Sequence, residues 1–84
     1  MTIHSHRFVE IFNGFLGFGY DRATDEKTIM YYLQKFSDDR HLETIIPRLT
    51  DDELSQLFEM LSKLMKNHLS DSEYHHLFLK DRPD

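Results

Sequence analysis

Apolar residues recur along this chain at the three- and four-residue spacing of amphipathic helices. No segment shows the sustained alternation and β-branched enrichment that are typical of a strand. We therefore predict an all-α fold, a compact bundle of four to five helices joined by short loops, in a single domain over residues 1–84. Helices are predicted over about 5–18, 24–36, between Asp38 and Pro47, 51–69 and 71–80.

The first predicted helix carries an aromatic apolar face. Seven apolar side chains cover about half of its circumference, and they include Phe8, Phe12 and Phe15. A face of this kind packs in the core of a small domain, or it forms the centre of an interface with a partner. Tyr31 is the secondary interface candidate because it points away from the apolar stripe of the second helix. That stripe consists of Ile29, Met30, Tyr32, Leu33 and Phe36.

Two capping boxes are the strongest local signals in the chain. Thr50 and Glu53 can exchange hydrogen bonds at the start of the fourth helix, and Ser70 and Glu73 repeat this pattern at the start of the last helix. The fourth helix has a leucine-rich apolar face, and His68 falls within that face near the C-terminal end. We predict that the stretch from His68 to Glu73 is mainly a junction between two helices.

A metal site is the alternative interpretation of this junction. Glu73 and His76 share one side of a helix at the spacing of the Glu-x-x-His elements in di-iron bundles, and His68 could add a nitrogen ligand. A di-iron centre needs a second Glu-x-x-His element, which the chain lacks. We therefore expect surface histidines beside a capped helix. If a metal site exists, its candidate ligands are His68, Glu73 and His76.

The charge of the chain is acidic and unevenly distributed. Of the net charge of −5, residues 50–84 contribute −4, from eight Asp and Glu against four Lys and Arg. Because this charge opposes the approach of phosphates, no nucleic-acid partner is expected, and a nucleic-acid-binding regulator is the third functional hypothesis. No apolar run approaches the roughly 20 residues that cross a bilayer, and the N-terminus differs from a signal peptide. We expect a soluble cytoplasmic protein without a membrane partner.

The sequence also indicates which chemistry to expect. The chain contains no cysteine, which removes thiolate nucleophiles, disulfides and thiolate metal sites. No serine lies in a nucleophile-elbow pattern, so we predict no catalytic residue and no cofactor. The expected function is a protein–protein interaction or regulatory module that binds a protein partner or itself. The alternative is a metal sensor or metal-dependent enzyme that uses the junction.

The C-terminal half of the chain also has a resemblance. Residues 49–54, 68–70 and 74–81, which read LTDDEL, HLS and YHHLFLKD, resemble short uncharacterised bacterial proteins described only as cytoplasmic. The resemblance implies a bacterial cytosolic protein. It implies no activity, cofactor or catalytic residue.

Overall fold

The computed structural model describes residues 6–81, and all regular structure in this part of the chain is helical. The all-α prediction is confirmed for these residues. None of their helices is both long enough and apolar enough to span a bilayer. Residues 6–81 contain five α-helices, and a short helix of another type follows two of them: α1 (Arg7–Ile11), α2 (Arg22–Phe36), α3 (Asp39–Ile45) with a 3-10 turn (Ile46–Arg48), α4 (Asp51–His68), and α5 (Asp71–Glu73) with a π-helix (Tyr74–Leu79).

The chain divides into two compact units. The first unit comprises residues 1–48 and contains α1, α2, α3 and the 3-10 turn. The second unit comprises residues 49–84 and contains α4, α5 and the π-helix. The single domain over residues 1–84 stays a prediction.

The first helix is much shorter than the one predicted over residues 5–18, whose first residue lies outside the described part of the chain. α1 ends at Ile11, and Phe12 already has extended backbone angles, with φ −73° and ψ 127°. A loop with three glycines follows, in which Gly17 forms hydrogen bonds with a side chain of α2. Gly19, in the same loop, has a left-handed φ of 99°.

The next two helices begin at aspartates. The Asp21 side chain accepts a hydrogen bond from the Thr24 amide at 2.8 Å, so α2 starts two residues earlier than predicted. Asp38 is the N-cap residue of α3, as the sequence indicates. Pro47 lies in the 3-10 turn that follows α3, which agrees with its predicted role in ending the helix.

The second unit contains both predicted capping boxes. Thr50 Oγ1 accepts a hydrogen bond from the Glu53 amide at 3.1 Å, and Glu53 Oε1 accepts one from the Thr50 amide at 2.9 Å. The equivalent distances for Ser70 and Glu73 are 3.1 Å and 2.8 Å. These reciprocal bonds satisfy backbone amides that a helix start leaves unpaired, and they confirm where α4 and α5 begin.

Candidate functional site

The polar side of α2 holds the segment that precedes it. Gln34 Oε1 accepts a hydrogen bond from the Val9 amide at 2.8 Å. The Thr28 hydroxyl accepts a hydrogen bond from the Gly17 amide at 3.1 Å and donates one to the Gly17 carbonyl at 3.0 Å. Thr28 is 4% exposed and Val9 is 6% exposed, the two buried residues of the described chain. The polar side of α2 therefore fixes the positions of α1 and the loop.

The apolar side of α2 lies on the surface. An apolar stripe normally faces the core, yet Tyr32 is 68% exposed and Leu33 is 54% exposed. Phe18 from the loop is 68% exposed and lines the same groove as Ile29. Apart from Phe36, which is half-buried against His41, the stripe faces outward because the opposite side of α2 forms hydrogen bonds to the backbone of the preceding segment. We call the exposed apolar set the α2 outer surface: Phe18, Ile29, Met30, Tyr32 and Leu33.

Charged side chains border the α2 outer surface. Arg22 Nε donates a hydrogen bond to Glu26 Oε2 at 2.7 Å, and both side chains are exposed. Asp25 Oδ1 accepts one from the Gly19 amide at 2.8 Å. The three charged residues line a shallow groove together with Phe18. An apolar centre with a charged border is the usual organisation of a protein interface.

Three of the four predicted interface residues form an aromatic cluster within the first unit. The ring of Phe8 stacks on Phe12 at a centroid distance of 4.9 Å, and Phe12 lies 6.2 Å from Tyr31. All three side chains are half-buried, so they pack α1 and the loop against α2. Phe15 is 63% exposed and makes an edge-to-face contact with Tyr20 at 5.2 Å. The role of these four residues in an interface stays a prediction.

The structure does not bring His68, Glu73 and His76 together as a set of metal ligands. Glu73 is engaged in the second capping box, and His75 Nδ1 lies 2.9 Å from Asp81 Oδ2. Between residues 6 and 81, no three side chains of His, Cys, Asp or Glu form a group that could hold a metal ion. The metal site stays a prediction.

The ionisation of Asp21 affects the stability of the N-terminus of α2. The hydrogen bond from the Thr24 amide, assisted by one from the Thr24 hydroxyl, lowers the pKa of the Asp21 carboxyl below its ordinary value. These donors favour the ionised form because a carboxylate is the stronger acceptor. Ionised Asp21 therefore stabilises the first turn of the helix that presents the α2 outer surface.

Comparison with known proteins adds no relative. The sequence matches no protein-family model, and no curated protein or solved structure matches it. The resemblance to short bacterial proteins stays a prediction. The role of the α2 outer surface must therefore be inferred from the residues that form it.

Proposed function

We propose that the protein is a small interaction module whose α2 outer surface binds an apolar cluster on a partner protein. One observation carries this proposal: α2 turns its polar side towards its own chain and its apolar side outward. Contiguous exposed apolar side chains with a polar border favour protein binding, because association removes their surface from water. The resemblance to cytoplasmic proteins supports a cytoplasmic location.

Phe18 and Tyr32 are the residues that we expect to contribute most to binding. Both side chains are 68% exposed, and together with Leu16 they line a groove beside Ile29. Aromatic side chains dominate many interfaces because they bury a large area and lose few rotamers on binding. The hydrogen bonds of Thr28 hold Gly17, the residue next to Phe18, so the groove exists before a partner arrives. Such preorganisation reduces the entropy cost of association.

Affinity capture from a cell lysate with matched variants tests the proposal. The unmodified chain should capture a specific protein that the Tyr32→Ser variant does not capture. In a binding measurement with this purified partner, Tyr32→Ser should lower the affinity about 10- to 100-fold. Lys27→Ser is the control because Lys27 is an exposed residue of α2 outside the α2 outer surface, and it should retain the partner. Circular dichroism should show equal helix content in both variants. A partner that binds all three proteins equally, or no captured partner, would contradict the proposal.

A further inference from the structure

The longest helix, α4, carries an apolar face that its own unit leaves uncovered. None of its 18 residues is buried, and Phe58, Leu61 and Leu64 are 71%, 46% and 50% exposed. The start of the following helix meets α4 at a shallow depression that Met65 and Tyr74 line, at the far end of the leucine series. An amphipathic helix gains most of its stability by covering its apolar face, so α4 is suited to a partner.

The leucines of α4 have a symmetric spacing. Leu54, Leu57, Leu61 and Leu64 are separated by three, four and three residues, which places them at the a and d positions of two heptads. The spacing is symmetric about Glu59: Leu54 and Leu64 lie five residues from it, and Leu57 and Leu61 lie two residues from it. A second α4 that runs in the opposite direction therefore sets leucine against leucine at each level. This is the self-complementarity that a two-fold interface requires.

The two ends of α4 differ in charge, because the first turn is acidic and the last turn holds Lys66 and His68. Asp51 and Glu53 flank the leucine face at the first turn, whereas His68 lies within this face at the last turn, two residues after Lys66. In an antiparallel pair, each acidic first turn lies beside the partner's basic last turn, and the helix dipoles are also opposed. A parallel pair would place acidic turn beside acidic turn. The charges therefore favour a second copy in the antiparallel orientation.

We propose that the protein self-associates through α4, with the α4 of a second copy packed antiparallel along Leu54, Leu57, Leu61 and Leu64. Each helix is about 27 Å long at 1.5 Å per residue. Leu77 and Phe78 of the π-helix are 54% and 56% exposed and provide further apolar area in the same unit. A stable interface buries roughly 800 Å² on each partner, which is the area that a dimer through α4 has to approach. This proposal goes beyond the α2 outer surface and does not depend on it.

Sedimentation equilibrium over a series of protein concentrations gives the dimer Kd. Leu61→Asp should raise this Kd at least about 100-fold, because two unpaired carboxylates would enter the dimer interface. Gln56→Asp is the matched control: it adds the same charge to α4 outside the leucine face, and it should change Kd by less than about fivefold. Tyr32→Ser, which tests the α2 outer surface, should leave Kd unchanged. A monomer at every concentration, equal effects of the two aspartates, or loss of the dimer in Tyr32→Ser would overturn the proposal.

Disulfide crosslinking tests the orientation without relying on a destabilising substitution. Because the chain has no cysteine, each introduced thiol is unique. Leu54→Cys and Leu64→Cys should form a mixed disulfide when the two variants are combined under mild oxidation. Neither should crosslink alone, because the two copies of position 54 would lie about 15 Å apart along an antiparallel pair, whereas a disulfide spans at most about 7 Å between Cα atoms. Self-crosslinking of either variant, without the mixed product, would overturn the antiparallel arrangement.

Discussion

The two units position their helices by different means. In the second unit, both capping boxes join residues three positions apart, and the sequence alone is sufficient to place the start of α4 and α5. In the first unit, Gln34 and Thr28 bind backbone groups 25 and 11 positions away. The contrast shows that local patterns determine where a helix begins, whereas non-local polar contacts determine which side of it faces inward.

The largest effect is expected from breaking the non-local contact of the first unit. Thr28→Val keeps the shape of the side chain but leaves the amide and carbonyl of Gly17 without their partner. We expect the free energy of unfolding to fall by about 1–3 kcal/mol. Amide hydrogen exchange should become faster in α1, the loop and α2, and chemical denaturation should report the loss.

Thr44→Val is the matched control for this substitution. Thr44 Oγ1 donates a hydrogen bond to the Arg40 carbonyl within α3, and the residue is exposed. Its replacement should cost less than about 0.5 kcal/mol. Equal losses for the two threonines would show that the buried Thr28 contact does not determine the stability of the first unit.

A smaller effect is expected from breaking a local contact in the second unit. Ser70→Ala removes the acceptor for the Glu73 amide and should lower stability by about 1 kcal/mol. Hydrogen exchange should become faster over α5 and the π-helix and remain unchanged in the first unit. Ser72→Ala, inside the same helix, should have almost no effect. Faster exchange in the first unit after Ser70→Ala would contradict the conclusion that this capping box acts only locally.

The smallest effect is a pH dependence at the start of α2. The pKa of Asp21 is lower in the folded chain than in the unfolded one, so its ionised form stabilises the fold at neutral pH. This stabilisation is lost as the pH falls from the ordinary carboxyl pKa of about 4 through the lower folded value. Asp21→Asn keeps a capping side chain but cannot ionise. It should slightly lower Tm at neutral pH, and the difference should disappear in acid; a difference independent of pH would contradict this assignment.

The sequence predicts the second unit better than the first for a physical reason. α4 combines a capping box, good helix formers and a continuous apolar face, and its observed end lies one residue from the predicted one. The helix predicted over residues 5–18 has the correct periodicity, but each glycine within it costs about 1 kcal/mol relative to alanine. In the loop, the amide and the carbonyl of Gly17 form hydrogen bonds with the Thr28 side chain instead of bonds within a helix.

The outward face of α2 could not be predicted from periodicity. Apolar spacing identifies the stripe correctly, but an apolar stripe ordinarily faces the core and polar residues ordinarily face solvent. At Thr28 and Gln34 this assignment is reversed, because buried backbone groups require hydrogen-bond partners. No motif in the sequence marks a threonine or glutamine that serves a distant backbone group. Only the path of α1 and the loop in the folded chain reveals these two positions.

The contacts of Thr28 and Gln34 also have an evolutionary consequence. Both side chains bind main-chain atoms, at Gly17 and Val9, and such atoms are shared by nearly all amino acids. These hydrogen bonds therefore hold the backbone at Val9 and Gly17 without using the side chains of Phe15 and Phe18. Substitutions at Phe15 or Phe18 change the exposed side chains of the loop and leave these hydrogen bonds in place. If the α2 outer surface binds the proposed partner, selection or a protein designer can alter its specificity at Phe18 without rebuilding these contacts.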